Sequence, residues 1–176
     1  MKKSKIIMFL FFVLVLGIST VTNAVTINEQ IINKNLFCIK RNKNTNIVMY
    51  DVRLNSSGDI DKLKPIDSYW ILYDKQGERS EIKAFEKKAY GFAIKYNVEE
   101  RYYDLVLKAV PNRNIKIVLL NGEPKAVIKI NNKDAYLLTV FVFAKNDLII
   151  PKVLHYIIIG IDTETGSRVE EKVVMH

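Results

Sequence analysis

One cysteine and two histidines are all that this 176-residue chain carries of the residues that build disulfide frameworks, zinc sites and many hydrolases. Cys38 alone can close no internal disulfide, and its place in the run Leu36-Phe37-Cys38-Ile39 reads as a buried thiol. There is no His-x-x-His, no cysteine pair and no His-Glu-x-x-His, so no metal site and no cofactor is expected. His176 ends the chain and His155 stands in an apolar strand pattern. Cys38 with His155 is then the one nucleophile–base pair to name, and no local motif surrounds either. Glycosidase chemistry needs two acids held across a substrate, and no spacing among Asp51, Asp104, Glu123 and Asp162 singles out a pair. No Gly-rich phosphate loop exists. The segment Asn55–Asp61 resembles a calcium loop only until Gly58 is aligned, which puts Arg53 at the first ligand position. No catalytic residue is expected. Repeats, low-complexity segments and interdomain linkers are missing too, which leaves one domain.

The longest plain apolar run is at the start. Lys2, Lys3 and Lys5 precede Ile6–Leu16, Gly17 breaks the run, and Thr22-Asn23-Ala24 offers small residues for cleavage. That order predicts a signal peptide over residues 1–24, of bacterial type, and a mature chain that is periplasmic or secreted. The run falls short of the roughly 20 residues of a spanning helix, so no stable transmembrane anchor is expected. Without the leader, 24 basic residues stand against 19 acidic ones, a net charge of +5.

Beyond it, residues 25–35 are polar and weakly patterned and read as a loose arm. Residues 36–176 read as a single all-β domain. Tyr90–Val98, Tyr103–Ala109, Ile115–Leu119 and Ala126–Ile130 alternate apolar and polar with a period of two. This is the mark of half-buried antiparallel strands. Short strands are expected at Leu36–Lys40, Ile47–Leu54 and Ile66–Tyr73, with turn-forming Arg41–Asn46 between the first two. Ala135–Ala144, Val153–Asp162 and Arg168–Val174 complete the set. The one expected helix is Ser80–Lys88, capped by Ser80, with Ile82 and Phe85 on one side. Nine or ten strands with turns every 8 to 12 residues predict an antiparallel barrel or a two-sheet sandwich.

The pattern Asn35-Leu36-Phe37-x-Ile39-x-Arg41-Asn42-Lys43-Asn44-x-Asn46, followed by Tyr50-Asp51, Tyr69-Trp70 and Ala89-Tyr90-Gly91, resembles an exported bacterial family, domain of unknown function 4833. The resemblance spans nearly the whole mature chain. It implies a single exported domain and brings no catalytic residues with it.

Two features remain for function. Tyrosine is abundant on faces expected to point inward, and a tyrosine suits a partly polar pocket better than a solid core. A cavity lined by Tyr50, Trp70, Tyr90, Phe92 and Tyr96, with Arg41 and Asn44 at its mouth, would hold an amphipathic or anionic small molecule or a lipid fragment. The ordinary alternative is a tyrosine-rich core. The second feature is a basic sheet face of Lys95, Lys108, Lys116, Lys125 and Lys129, which could meet an anionic surface or simply be solvated. Export disfavours nucleic acid. The expected function is thus a non-enzymatic exported binding domain. An envelope interaction module, pairing through an edge such as Arg168–Val174, is the alternative, and a hydrolase of unrecognised type is a remote one.

Overall fold

The computed structural model describes residues 32–145 and 152–175. The expected signal peptide (1–24), most of the expected arm (25–35) and His176 lie outside the described residues. Eleven strands follow in order: β1 (Ile32–Arg41), β2 (Asn44–Leu54), β3 (Ile66–Leu72), β4 (Glu78–Glu81), β5 (Phe92–Asn97), β6 (Tyr102–Leu107), β7 (Asn114–Leu120), β8 (Glu123–Ile130), β9 (Lys133–Lys145), β10 (Lys152–Asp162) and β11 (Arg168–Val174). A single helical turn, α1 (Lys87–Tyr90), precedes β5. The fold is all-β. One sheet runs β4-β3-β2-β1-β9-β8-β7-β6-β5 and curls into a half-barrel, with β10 and β11 branching from β9.

The branch at β9 shapes everything else. Of its thirteen residues, the stretch from Ala135 to Lys145 is paired along one edge by β10, from Ala135↔Asp162 to Lys145↔Lys152. The other edge is shared: β8 takes Lys133–Tyr136, and β1 takes Thr139–Val142. The β1–β9 pair is parallel and every other pair is antiparallel. A strand hemmed in on both sides explains why Ala135–Ala144 is apolar almost throughout, as central strands are. Inside the curl one contiguous core joins Phe37, Val48, Leu105, Ile117, Ile128, Leu137 and Ile158.

Three local expectations are corrected. Ile32–Asn35 is not a loose arm but part of β1, pairing from Ile32↔Leu54 to Asn35↔Asp51. Main-chain bonding does not depend on apolar side chains, so the polar sequence gave no sign of it. The turn after β1 is confined to Asn42-Lys43, with Lys43 at φ 56°, and Asn44–Asn46 already belong to β2. The helix expected at Ser80–Lys88 is instead the edge strand β4, where Ser80 pairs with Trp70, and a turn leading to α1. Ile82 is buried while Phe85 is 69% exposed, so the two share no helical face. Glu86 caps the turn by accepting the Lys83 N–H at 2.7 Å. Counting β4 brings the strands to eleven.

Close packing at the branch has a measurable signature. The β9–β10 register shifts next to Gly160, where a Cβ would lie 2.7 Å from the Tyr136 carbonyl oxygen and 2.9 Å from Ile130 Cδ1. Gly160→Ala should lower the unfolding free energy by about 1–3 kcal/mol. The readout is a lower urea midpoint with unchanged slope.

Asp67 on β3 supplies a second test, since its carboxylate meets Lys64 at 2.9 Å and Arg79 at 2.7 Å. Burial alone would raise its pKa, but the hydrogen bond and charge of Lys64, with Arg79, hold it below the usual carboxylate value. A depressed folded-state pKa means stabilisation that is present at neutral pH and lost as pH falls through that value. The exposed cations limit it to about 1 kcal/mol or less. The wild type should therefore lose more stability on acidification than Asp67→Asn, in denaturation curves taken across the acid range.

Candidate anion-binding crevice

Arg41 closes β1, where Asn42 lashes the chain to the end of β9. The Asn42 N–H donates to the Val142 carbonyl at 3.1 Å, its side-chain amide donates to the Ala144 carbonyl at 3.1 Å, and its Oδ1 accepts the Ala144 N–H at 2.8 Å. These bonds fix Arg41 beside Val142. The facing wall comes from Ala89 and Tyr90 in α1 and from Lys108 and Ala109 after β6. Gly91 permits that approach: a Cβ there would stand 2.3 Å from the Lys87 carbonyl oxygen. The result is a crevice of about 250 Å³, mostly apolar, floored by Val142 and Ala144 and flanked by Arg41 and Lys108.

The electrostatics of the crevice are unbalanced. Arg41 Nε is buried without a hydrogen-bond partner, and no carboxylate among the described residues lies within ion-pair distance of Arg41 or Lys108. The guanidinium lies on the same crevice wall as the Tyr90 phenol and acts on its charge. Burial raises the Tyr90 pKa and Arg41 opposes that rise, so the phenol stays neutral at physiological pH. A partly buried cation without a counter-charge is costly, and an incoming anion would relieve that cost.

The residues singled out by sequence fall into one cluster and two outliers. Tyr90 is the hub. Its ring meets Trp70 edge-to-face at 4.9 Å, and its carbonyl accepts the Tyr50 hydroxyl at 2.6 Å. Tyr50 stacks on Phe37 at 4.7 Å and meets Phe92 at 6.1 Å. Arg41, Tyr50, Trp70, Tyr90 and Phe92 are thus contiguous, but they pack on one another rather than around a void. Tyr50 is fully buried, and that burial pushes its phenol pKa up. Asn44 accepts the Asn46 N–H at 3.0 Å and lies with Trp70 beside a separate open depression. Tyr96 stands apart, packed against Tyr103 at 4.8 Å near the far end of β5.

Lys108 belongs to the crevice and not to the basic face. On that face the remaining lysines are interleaved with acids: Lys95 and Lys116 flank Asp104, and Lys116 approaches Glu100 at 3.7 Å. Lys129 meets Asp134 at 3.0 Å, and Lys125 lies over the Tyr136 ring. Cys38 pairs with Thr139, and its Sγ is 3.5 Å from Thr139 Oγ1. His155 pairs with Phe143 and stacks on its ring at 4.3 Å. Four residues of β9 separate the two sites, about 13 Å along a strand, too far for a catalytic pair.

The family model for Domain of unknown function (DUF4833) matches residues 37–172. The chain belongs to this family. No curated protein and no solved structure matches it. Several positions of the DUF4833-like pattern have structural tasks here. Asp51 is buried and takes hydrogen bonds from Asn35 at 3.3 Å and from the Tyr69 hydroxyl at 2.8 Å, tying β1, β2 and β3 together. Sequence reasoning put Lys108 on the basic face because it ran the alternation through Ala109, whereas β6 ends at Leu107 and the period assigns no face beyond it.

A structural role for Tyr50 makes a direct prediction. Tyr50→Phe keeps the ring stack but strips the Tyr90 carbonyl of its donor, so it should cost about 1–3 kcal/mol of stability. Thermal or urea unfolding of the pure variant reads this directly.

Proposed function

We propose that this protein is an exported, non-enzymatic β-domain that binds a small amphipathic anion at the Arg41–Tyr90–Lys108 crevice. The observation that carries the reading is the buried Arg41 Nε, without a partner among the described residues, beside a mostly apolar cleft where Lys108 is the one other charged residue among those described. An anionic head would take the guanidinium and ammonium, and a short acyl or alicyclic body would cover Val142 and Ala144. The volume of about 250 Å³ lies under the roughly 300–1,000 Å³ of pockets for drug-sized ligands. A lipid fragment fits that size; a whole lipid does not. Export follows from the leader pattern Lys2–Ala24, which makes the periplasm or the exterior the place of binding.

Octanoate is a suitable probe. The mature chain should bind it at one site by calorimetry, and Arg41→Met, which keeps the apolar stem, should weaken binding about tenfold or more. Native mass spectrometry of protein drawn from its own host should show extra mass that is lost on denaturation. Absence of octanoate binding together with a bare native mass would refute the proposal.

A further inference from the structure

The half-barrel has a gap in its hydrogen bonding where its two ends approach. β4 pairs with β3 only from Leu72 back to Tyr69, because the chain leaves the sheet at Ile82 to enter the turn before α1. Ile66–Ser68 is therefore paired on the β2 side alone. The Arg53 N–H donates to the Pro65 carbonyl at 2.9 Å, which sets the phase of the β2–β3 ladder. By antiparallel alternation Asp67 faces β2, while the Ile66 N–H and C=O and the Ser68 N–H point to the open edge. On the opposite side β5 ends the sheet. The Lys108 N–H donates to the Gly91 carbonyl at 2.9 Å, so by the same alternation the main-chain groups of Phe92 face away from β6. Ile66, Ser68 and Phe92 line one cleft of about 480 Å³.

The charge of this cleft is one-sided. Lys64, Arg79, Lys87 and Lys108 line it against only Asp67 and Glu81. Asp67 is already shared by Lys64 and Arg79, whereas Lys87 and Lys108 have no ion pair among the described residues. Proteins commonly guard a free edge by placing lysine on the edge strand itself. Here Ile66, Ser68 and Phe92 are uncharged, the charge on the edge strand is that of Asp67, which is already ion-paired, and the cations sit around the rim.

We infer that this cleft is a docking slot for an extended acidic segment of a partner protein, which adds as a strand alongside Ile66–Ser68 where β4 stops. Main-chain bonds to Ile66 and Ser68 supply affinity, and alternate acidic side chains reaching Lys87 and Lys108 supply the choice of partner. The slot shares Lys108 with the anion crevice, whereas Ile66, Ser68 and Lys87 belong to the slot alone.

The probe is a fluorescein-labelled peptide of alternating Glu and Val, about eight residues long, titrated against the mature chain by fluorescence anisotropy. It should bind with Kd below about 100 μM, and N-methylation of alternate peptide amides should weaken it about tenfold or more. A Lys–Val peptide should not bind. Lys87→Glu should weaken the acidic peptide about fivefold while leaving octanoate binding unchanged. Ser68→Pro removes an N–H that β2 does not use, and a variant that melts normally should lose affinity. The inference is overturned by no binding up to about 1 mM, by equal binding of the two charge patterns, or by indifference to N-methylation. The N-methylated peptide keeps the test decisive even where Ser68→Pro fails to fold.

Discussion

One strand cannot hydrogen-bond three neighbours along its full length, and the way β9 resolves this sets the rest of the molecule. β10 takes one edge entire, and the other is divided between β8 and β1. Because β1 joins late and parallel, the β1–β4 arm and the β8–β5 arm leave β9 on the same edge at different heights. They curl toward each other over a shared core instead of continuing flat, in keeping with the native twist of sheets. Gly160 is the steric price of that crowding, since β10 must pass within contact of the Tyr136 carbonyl.

The same arrangement accounts for the exposed imbalance at Arg41. A parallel partner brings the end of β1 level with Val142 in the second half of β9, and Asn42 locks it there with both its main chain and its side chain. Arg41 then emerges beside apolar side chains and next to Tyr90, with no acid among the described residues of the crevice lining. Tyr90 cannot compensate the charge, because burial keeps its phenol protonated. What it supplies is a ring for Trp70 and a carbonyl for Tyr50. One residue thus joins the core to the crevice. For that reason Arg41→Met is a cleaner probe of binding than any change at Tyr90, which would disturb both.

Much of this was legible in the sequence, and the limits have physical causes. Period-two alternation located the β5–β8 meander, because each of those strands has one face in the core and one toward water. The apolar β9 read as buried. The β1–β9 pairing was not legible, since register between segments about a hundred residues apart leaves no trace in local pattern. Ile32–Asn35 and β4 were missed for a related reason: edge pairing is made by the main chain, and sequences such as Glu-Arg-Ser-Glu satisfy it without hydrophobic residues. Tyr50, Trp70, Tyr90 and Phe92, expected to line a cavity, adjoin one another and Tyr96 does not, because composition could not distinguish rings that line a space from rings that fill it.

That distinction decides where binding can occur in a domain of this kind. Tyr50 and Phe37 fill the centre and Phe92 packs against Tyr50 from the β5 edge, so space for a ligand is left at the rims, where the sheet runs out of partners. Ile82 is the reason it runs out. Burying this side chain pulls the chain off the β3 edge after Glu81, and the turn capped by Glu86 then carries it across to α1 and β5. Had β4 continued by three residues, Ile66–Ser68 would be paired and the half-barrel would lie closer to closure. Instead the chain leaves the edge at Ile82, whose side chain is buried, and the unpaired groups remain beside the cations of the rim. The free edge therefore traces to the short segment between β4 and β5, which also supplies Lys87 to the rim that Lys64, Arg79 and Lys108 complete.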